Sequence, residues 1–227
     1  MSFTTSEENY IKGIFHLQQE TGLVNTNSLA AEMQTRPASV TDMLKKLKSK
    51  KLLQYEKYKG FKLNEAGKKA ALDVVRKHRL WEFFLVEKLK FDWDKVHSIA
   101  EELEHISSEE LIQRLDNFLG NPLFDPHGDP IPDKNGKIPV IKQLSLSEIP
   151  HKKNVTVSSV SNQTVQMLDM LKHYNIAIGT QLTVLKKFEF DGSLEIKVSK
   201  QEACIISEQV KRAPLNFTDG DPVGNNI

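Results

Sequence analysis

The stretch His97-Ser-Ile-Ala-Glu101-Glu-Leu-Glu104-His105 holds the residues best suited to chemistry in this chain. Read as a helix, it sets His97, Glu101, Glu104 and His105 at i, i+4, i+7 and i+8, on one face. Upstream, His78 and Glu82 repeat the i, i+4 spacing within Lys77-His-Arg-Leu-Trp-Glu82. Two antiparallel helices would bring these imidazoles and carboxylates onto facing surfaces, which is a metal-ligand inventory rather than a hydrophobic seam. Solvated helix surfaces also carry His and Glu pairs of this kind. Here the neighbours Trp81, Phe83, Phe84 and Leu85, and Ile99, Leu103 and Ile106, set both clusters at the edge of a core.

The elements that must position these groups fit into 227 residues, enough for one large domain or two to three small ones. A hydrophobic fraction of 39% and a charged fraction of 27% suit an ordinary globular chain. The net charge of +1 gives no global field toward nucleic acid, so the distribution of charge has to be read instead. The single cysteine, Cys204, excludes an internal disulfide framework and lies in an apolar run, where a small buried residue is the expectation. The first residues contain no signal-peptide core and no apolar run approaches the ~20 residues of a membrane helix. A cytoplasmic location without membrane contact is expected.

In chain order, residues 5–19 read as a helix with Thr5 or Ser6 as cap, Glu7 and Glu8 in the first turn, and Tyr10, Ile11, Ile14, Phe15 and Leu17 as its apolar stripe. A short helix at 29–33, a break at 34–37 and a longer helix from Pro37 to about Lys50 form a helix-turn-helix pattern. The segment 52–63 alternates around Lys59-Gly60 as a β-hairpin would, which makes the module a winged helix. From Arg36 to Lys62 the basic residues Arg36, Lys45, Lys46, Lys48, Lys50, Lys51, Lys57, Lys59 and Lys62 face only Asp42 and Glu56. A near-neutral chain has thus gathered positive charge on one module, as phosphate contact requires. Arg36, Pro37, Ala38, Ser39 and Asp42 would stand where base edges are reached, and Lys45, Lys46, Lys57 and Lys59 would hold phosphates.

A long helix follows from residue 64 to about 90, a second over about 92–106, and a third to about 120 behind a capping box at Ser107-Ser-Glu-Glu110. Trp81, Phe84, Leu85, Leu89, Leu111, Leu115 and Phe118 are more apolar surface than three short helices hide alone, which predicts a homodimer. Residues 121–132 form a proline-rich turn, and 141–154 read as a linker. The texture then turns to β, with strands at 155–157, 181–185 and 193–198, a helix at about 162–173, an Asp191-Gly192 hairpin signal, and a loose tail after Pro214. The expected class is mainly α with small β: a winged helix-turn-helix over 1–72, a helical dimerisation and metal domain over 73–140, and an SH3-like barrel over 155–227.

Together, Glu8-Asn-Tyr10, Ser39-Val-Thr, Tyr55-Glu-Lys-Tyr-Lys-Gly60, Lys77-His-Arg-Leu80 with Glu82, Ala100-Glu-Glu-Leu-Glu-His105 and Pro126-His-Gly-Asp-Pro-Ile-Pro132 resemble metal-dependent repressors of the diphtheria toxin repressor/manganese transport regulator family. The resemblance implies a metal-activated repressor of metal homeostasis that binds a palindromic DNA operator as a homodimer, with no enzymatic step and no small-molecule substrate. It implies a primary metal site at Glu101, Glu104 and His105 joined by Asn9, and an ancillary site at His78, Glu82 and His97. Asp125 and His127 complete a second site in some relatives, and Gln163 and Gln166 are candidates for a barrel-domain ligand. Relatives that sense iron carry a cysteine at position 101, and those that sense manganese a glutamate. An oxygen-and-imidazole set suits Mn²⁺ or Fe²⁺.

Two positions depart from the family pattern. Asn9 is a neutral amide where relatives have Asp or Met, which leaves Glu8 as an alternative ligand. Lys12 stands where some manganese sensors have a glutamate for a paired two-metal site. Two other readings compete: a winged-helix regulator with a non-metal effector, and a metallohydrolase, against which stands the absence of a His-Glu-x-x-His motif.

Overall fold

The computed structural model describes residues 3–56, 59–139, 144–146, 148–160, 165–199, 201–207 and 215–219. They divide into two compact units, the first comprising Met1–Trp81, Ser98–Asn121 and Ile131–Ile138, the second Glu82–His97, Pro122–Pro130 and Pro139–Ile227.

The first unit begins with α1 (Thr5–Thr21). Its cap is Thr4, whose hydroxyl accepts from the Glu7 backbone while the Glu7 carboxylate accepts from the Thr4 backbone, a reciprocal capping box. A second box, Asn25 with Ser28, opens α2 (Thr26–Glu32). Pro37 stands at the start of α3 (Pro37–Ser49), where its missing N–H costs nothing. Ile11, Ile14, Leu29, Val40 and Leu47 from these three helices pack in one core with Phe61 and Leu63. The hairpin of β1 (Leu53–Glu56) and β2 (Gly60–Leu63) pairs Leu53 with Leu63 and Glu56 with Gly60. Phe61 and Val24 exchange two backbone hydrogen bonds at 2.9 Å, and at φ 135° Gly60 lies so close to the Val24 carbonyl that a Cβ would overlap it.

The helix α4 (Glu65–Glu87) starts in this unit, and α6 (Glu109–Phe118) lies wholly within it. Arg76 of α4 and Asp116 of α6 form a buried pair at 2.7 Å, and the same guanidinium donates to the Pro132 carbonyl at 2.8 Å. One buried cation therefore ties α4, α6 and the segment 131–138 together.

Between α4 and α6 the sequence predicts a helix over about 92–106, but α5 covers only Val96–Leu103. Ser108 caps α6, accepting from the Leu111 backbone at 3.2 Å, so the chain has to leave the preceding helix within a few residues. Glu104 and His105 consequently sit in the turn beyond α5 rather than on its face. The cap is Ser108 itself, with no reciprocal partner at Leu111, and not the expected Ser107–Glu110 box.

In the second unit, β3 (Leu144–Ser145), β4 (Asn154–Val160), β5 (Gln181–Lys187), β6 (Leu194–Val198), β7 (Ala203–Ile206) and β8 (Leu215–Asp219) form an antiparallel sheet in the order β3-β8-β4-β5-β6-β7. Val155, Val157, Leu182, Val184, Leu194 and Ile196 face its core, which α7 (Val165–His173) covers with Leu168 and Leu171. Two expectations change here. The stretch 141–154 supplies β3 and the fully buried Leu146 and Ile149, and the tail after Pro214 supplies β8, whose Phe217 pairs with Val157. No helix among the described residues is long and apolar enough to cross a membrane.

Removing Asp116 leaves the buried Arg76 guanidinium with the Pro132 carbonyl as its one acceptor among the described residues. Asp116→Ala should lower stability by about 3 kcal/mol or more in urea unfolding, the range for a buried pair broken on one side. A second expectation concerns Glu7, which also bonds Lys50 at 2.7 Å. Burial pushes its carboxyl up, but Lys50 and the Thr4 backbone outweigh burial and hold it below the ordinary 4.5. A depressed native value means stability present above the unfolded value and lost as pH falls through the native one. Glu7→Gln should accordingly flatten the acid limb of a stability-versus-pH curve.

Candidate metal centres and nucleic-acid face

In the first unit, Glu104 is completely buried. Its Oε2 accepts from Lys12 Nζ at 2.8 Å and from His78 Nδ1 at 2.6 Å. Burial pushes the carboxyl up, but these two donors outweigh it and hold Glu104 below the ordinary 4.5, so it is an anion. Among the described residues the other oxygen, Oε1, is buried without a hydrogen-bond partner. The group facing it is His105 Nε2, 3.8 Å away. His105 Nδ1 lies 2.6 Å from Glu8 Oε2, and since an ionised carboxylate only accepts, the proton of that bond is on Nδ1. With the ring neutral and its proton on Nδ1, the Nε2 lone pair faces this carboxylate oxygen, an arrangement that a cation satisfies. Glu101 lies half-exposed nearby, its Oε1 3.6 Å from Lys12 Nζ. Asn9, on the same turn of α1 as Glu8, is partly buried.

In the second unit, one donor atom each from Glu82, Asp125 and His127 lie within 4.8 Å of one another, and all three residues are buried. His127 Nε2 donates to the Trp93 carbonyl at 2.9 Å, which fixes the tautomer and turns Nδ1 toward Glu82 Oε2 at 3.5 Å. Burial alone would lower the pKa of this imidazole, yet Glu82, Asp125 and the Trp93 carbonyl together raise it above the ordinary 6.5. The pocket therefore attracts positive charge, as a proton or as a metal. Asp125 Oδ1 accepts from the backbones of His127 and Asp129, so this residue also builds the turn. Gly128, at φ 79°, lies where a Cβ would overlap the Ser158 carbonyl. His97 Nδ1 is 3.2 Å from Glu82 Oε1, with half its side chain exposed. Gln166 is exposed in the first turn of α7, and Gln163 lies outside the described residues.

On the helix-turn-helix, Arg36, Pro37, Ala38, Ser39, Asp42, Lys45 and Lys46 are all exposed, with Asp42 and Lys45 paired at 3.0 Å. Lys59 is exposed at the tip of the wing, and Lys57 lies outside the described residues. Lys48 covers the ring of the wing's Tyr55 at 5.1 Å.

From sequence alone Glu8 enters only as a substitute ligand and Lys12 only as a departure from the family pattern. Their i, i+4 spacing on α1, the same spacing that drew attention to His78 and Glu82, was the signal that both face one cluster. The contact of His127 with a backbone carbonyl leaves no trace in residue types.

Residues 2–61 match the family described as iron dependent repressor, N-terminal DNA binding domain. Residues 64–133 match the iron dependent repressor, metal binding and dimerisation domain, and 144–212 the FeoA domain. Similar proteins include the iron-dependent repressor IdeR of Mycobacterium tuberculosis, 32% identical over 125 residues, which are 55% of this chain and 54% of that protein. The HTH-type transcriptional regulator MntR of Bacillus subtilis is 35% identical over 116 residues, 51% of this chain and 81% of MntR. The matched region thus spans about half the length of the IdeR proteins. Among solved structures, a manganese-dependent transcriptional repressor in complex with manganese has a TM-score of 0.83 at 31% identity, covering 94% of this chain and 99% of the other. ScaR with bound Cd²⁺ has a TM-score of 0.80 at 30% identity, with coverage of 94% and 99%. With a helical DNA-binding region, a helical dimerisation region and an SH3-like FeoA domain in that order, the chain belongs to the iron-dependent repressor family of metal-dependent transcriptional repressors.

Proposed function

We propose that this protein is a cytoplasmic repressor whose affinity for operator DNA rises when Mn²⁺ or Fe²⁺ occupies its acidic and imidazole centres, and that it controls metal uptake. The observation that carries the reading is the bare Glu104 Oε1 facing His105 Nε2, on groups that are hydrogen-bonded to the helix bracing the recognition helix. The first centre would be held by Glu101, Glu104 and His105, with the Asn9 amide. The second would be held by Glu82, Asp125 and His127, with His97 at its exposed side. His78 also braces Glu104 through its Nδ1. A bound divalent ion supplies the positive charge that the confronting oxygen and nitrogen lack.

The chain's own residues convert occupancy into DNA affinity. Lys12 and Glu8 fasten α1 to Glu104 and His105, and Glu7 fastens the same helix to Lys50 at the C-terminal end of α3. Drawing Glu104 and His105 together therefore restrains α3 through one helix, and ligand affinity at either end must respond to the other. Exposed Leu111 and Phe118 on α6 suit a two-fold dimer, which would set two recognition helices against a palindromic operator. No side chain has covalent chemistry to perform.

Fluorescence anisotropy on promoter DNA from a metal-uptake locus, at fixed salt, tests the reading. Binding should appear on titrating metal-stripped protein with Mn²⁺ or Fe²⁺, and Glu104→Gln should abolish that response while the fold remains. Equal affinity with and without metal would sink the reading. The basic residues make a separate expectation: Lys46→Ala should weaken binding to every sequence alike and reduce the salt slope by about 1, as loss of one phosphate contact does.

A further inference from the structure

We infer that Glu8 is a positioning residue of the first centre: it holds the His105 ring with Nδ1 protonated, so that Nε2 is the atom presented to the cation. The inference deepens the metal-centre reading above and rests on it. Glu8 Oε2 and His105 Nδ1 are 2.6 Å apart, a charge-assisted contact between side chains that are both only 14% exposed. Free imidazole distributes its proton over both nitrogens. Here the carboxylate takes one of them as donor, and the lone pair is left on the nitrogen that faces the unpartnered Glu104 Oε1.

A direct ligand role for Glu8 fits this arrangement less well. To reach a cation with Oε2, Glu8 would release Nδ1 and leave a largely buried ring N–H without its acceptor. As arranged, two residues one turn apart on α1 orient the two groups that confront each other. Glu8 does so for His105 through an N–H it accepts, and Lys12 for Glu104 through the charge it donates. Outer partners of this kind typically contribute about 10–100-fold to metal affinity by fixing the tautomer and raising ligand basicity.

Two measurements on the full chain test the role. Long-range ¹H–¹⁵N correlation spectra of metal-stripped, ¹⁵N-histidine-labelled protein read the tautomer directly. His105 should carry its proton on Nδ1 in the wild type and lose that preference in Glu8→Ala. Mn²⁺ titration followed by the electron paramagnetic resonance of free ion reads affinity and number of ions. Glu8→Ala should bind the same number of ions with about 10–100-fold weaker affinity at one site. Glu8→Gln should fall between, because its amide oxygen still accepts from Nδ1 without the charge. The role is overturned by a wild-type His105 protonated on Nε2, or by Glu8→Ala affinities indistinguishable from wild type. Loss of one ion outright, as for a ligand, overturns it equally. Should Glu8→Ala fail to fold, the wild-type spectrum decides alone. Metal-independent DNA binding by the wild type would defeat the repressor reading, while the tautomer and ion count would still judge Glu8.

Discussion

An ionised carboxylate taken wholly out of water has to be neutralised by its neighbours, because its desolvation costs several kcal/mol even after relaxation. Glu104 is such a group, and among the described residues only one of its two oxygens has hydrogen-bond donors. Its donors come from α1 and α4, and it lies itself just past α5, so three segments far apart in sequence converge on one charge. The second oxygen defines where further positive charge is needed. Local order and cation demand are therefore the same electrostatic problem, and that links the packing of the first unit to its proposed chemistry.

The element that shares this constraint with the DNA-facing region is α1. Glu7 and Glu8 are adjacent in sequence, and adjacent residues on a helix project about 100° apart. One therefore reaches Lys50 at the end of α3 and the other reaches His105. Lys12, one turn on, reaches Glu104 on the same side as Glu8. A single helix with a reciprocal cap at its start thus carries contacts to both ends of the proposed linkage. It has little freedom to answer one end without the other, since its buried stripe, Ile11 and Ile14, is locked into the core beneath.

Much of this was legible in the sequence, for reasons particular residues make clear. Helix starts were readable where the signal is local: Pro37 marks the first turn of α3, whereas α2 begins at Thr26, earlier than the 29–33 expected. The winged-helix pattern and the convergence of His and Glu were readable because spacing encodes faces. What failed was anything settled by competition between neighbours. Glu104 and His105 leave their helix because Ser108 must open the next one, a conflict the helical spacing from His97 does not reveal. Residues 144–146 and 215–219 looked like linker and tail because a short strand needs a partner to declare itself, and each of these partly supplies the other's. The pairing of Glu8 with His105 spans 97 positions and no local pattern carries it.

Ion preference follows from the same charges. The donor atoms in both clusters are oxygen and imidazole nitrogen, and the one cysteine lies on β7 of the sheet, so no thiolate is offered to softer metals. Affinity is then set by ligand charge count and rigidity. In the proposed first centre Asn9 would contribute a neutral amide, and the Lys12 ammonium lies beside both Glu101 and Glu104, offsetting part of their negative charge. Both features would weaken the hold on a dication at that centre. In the proposed reading a centre built this way would bind a dication less tightly than its carboxylates alone permit. That is the property required of a group that must release its ion when supply falls, rather than store it.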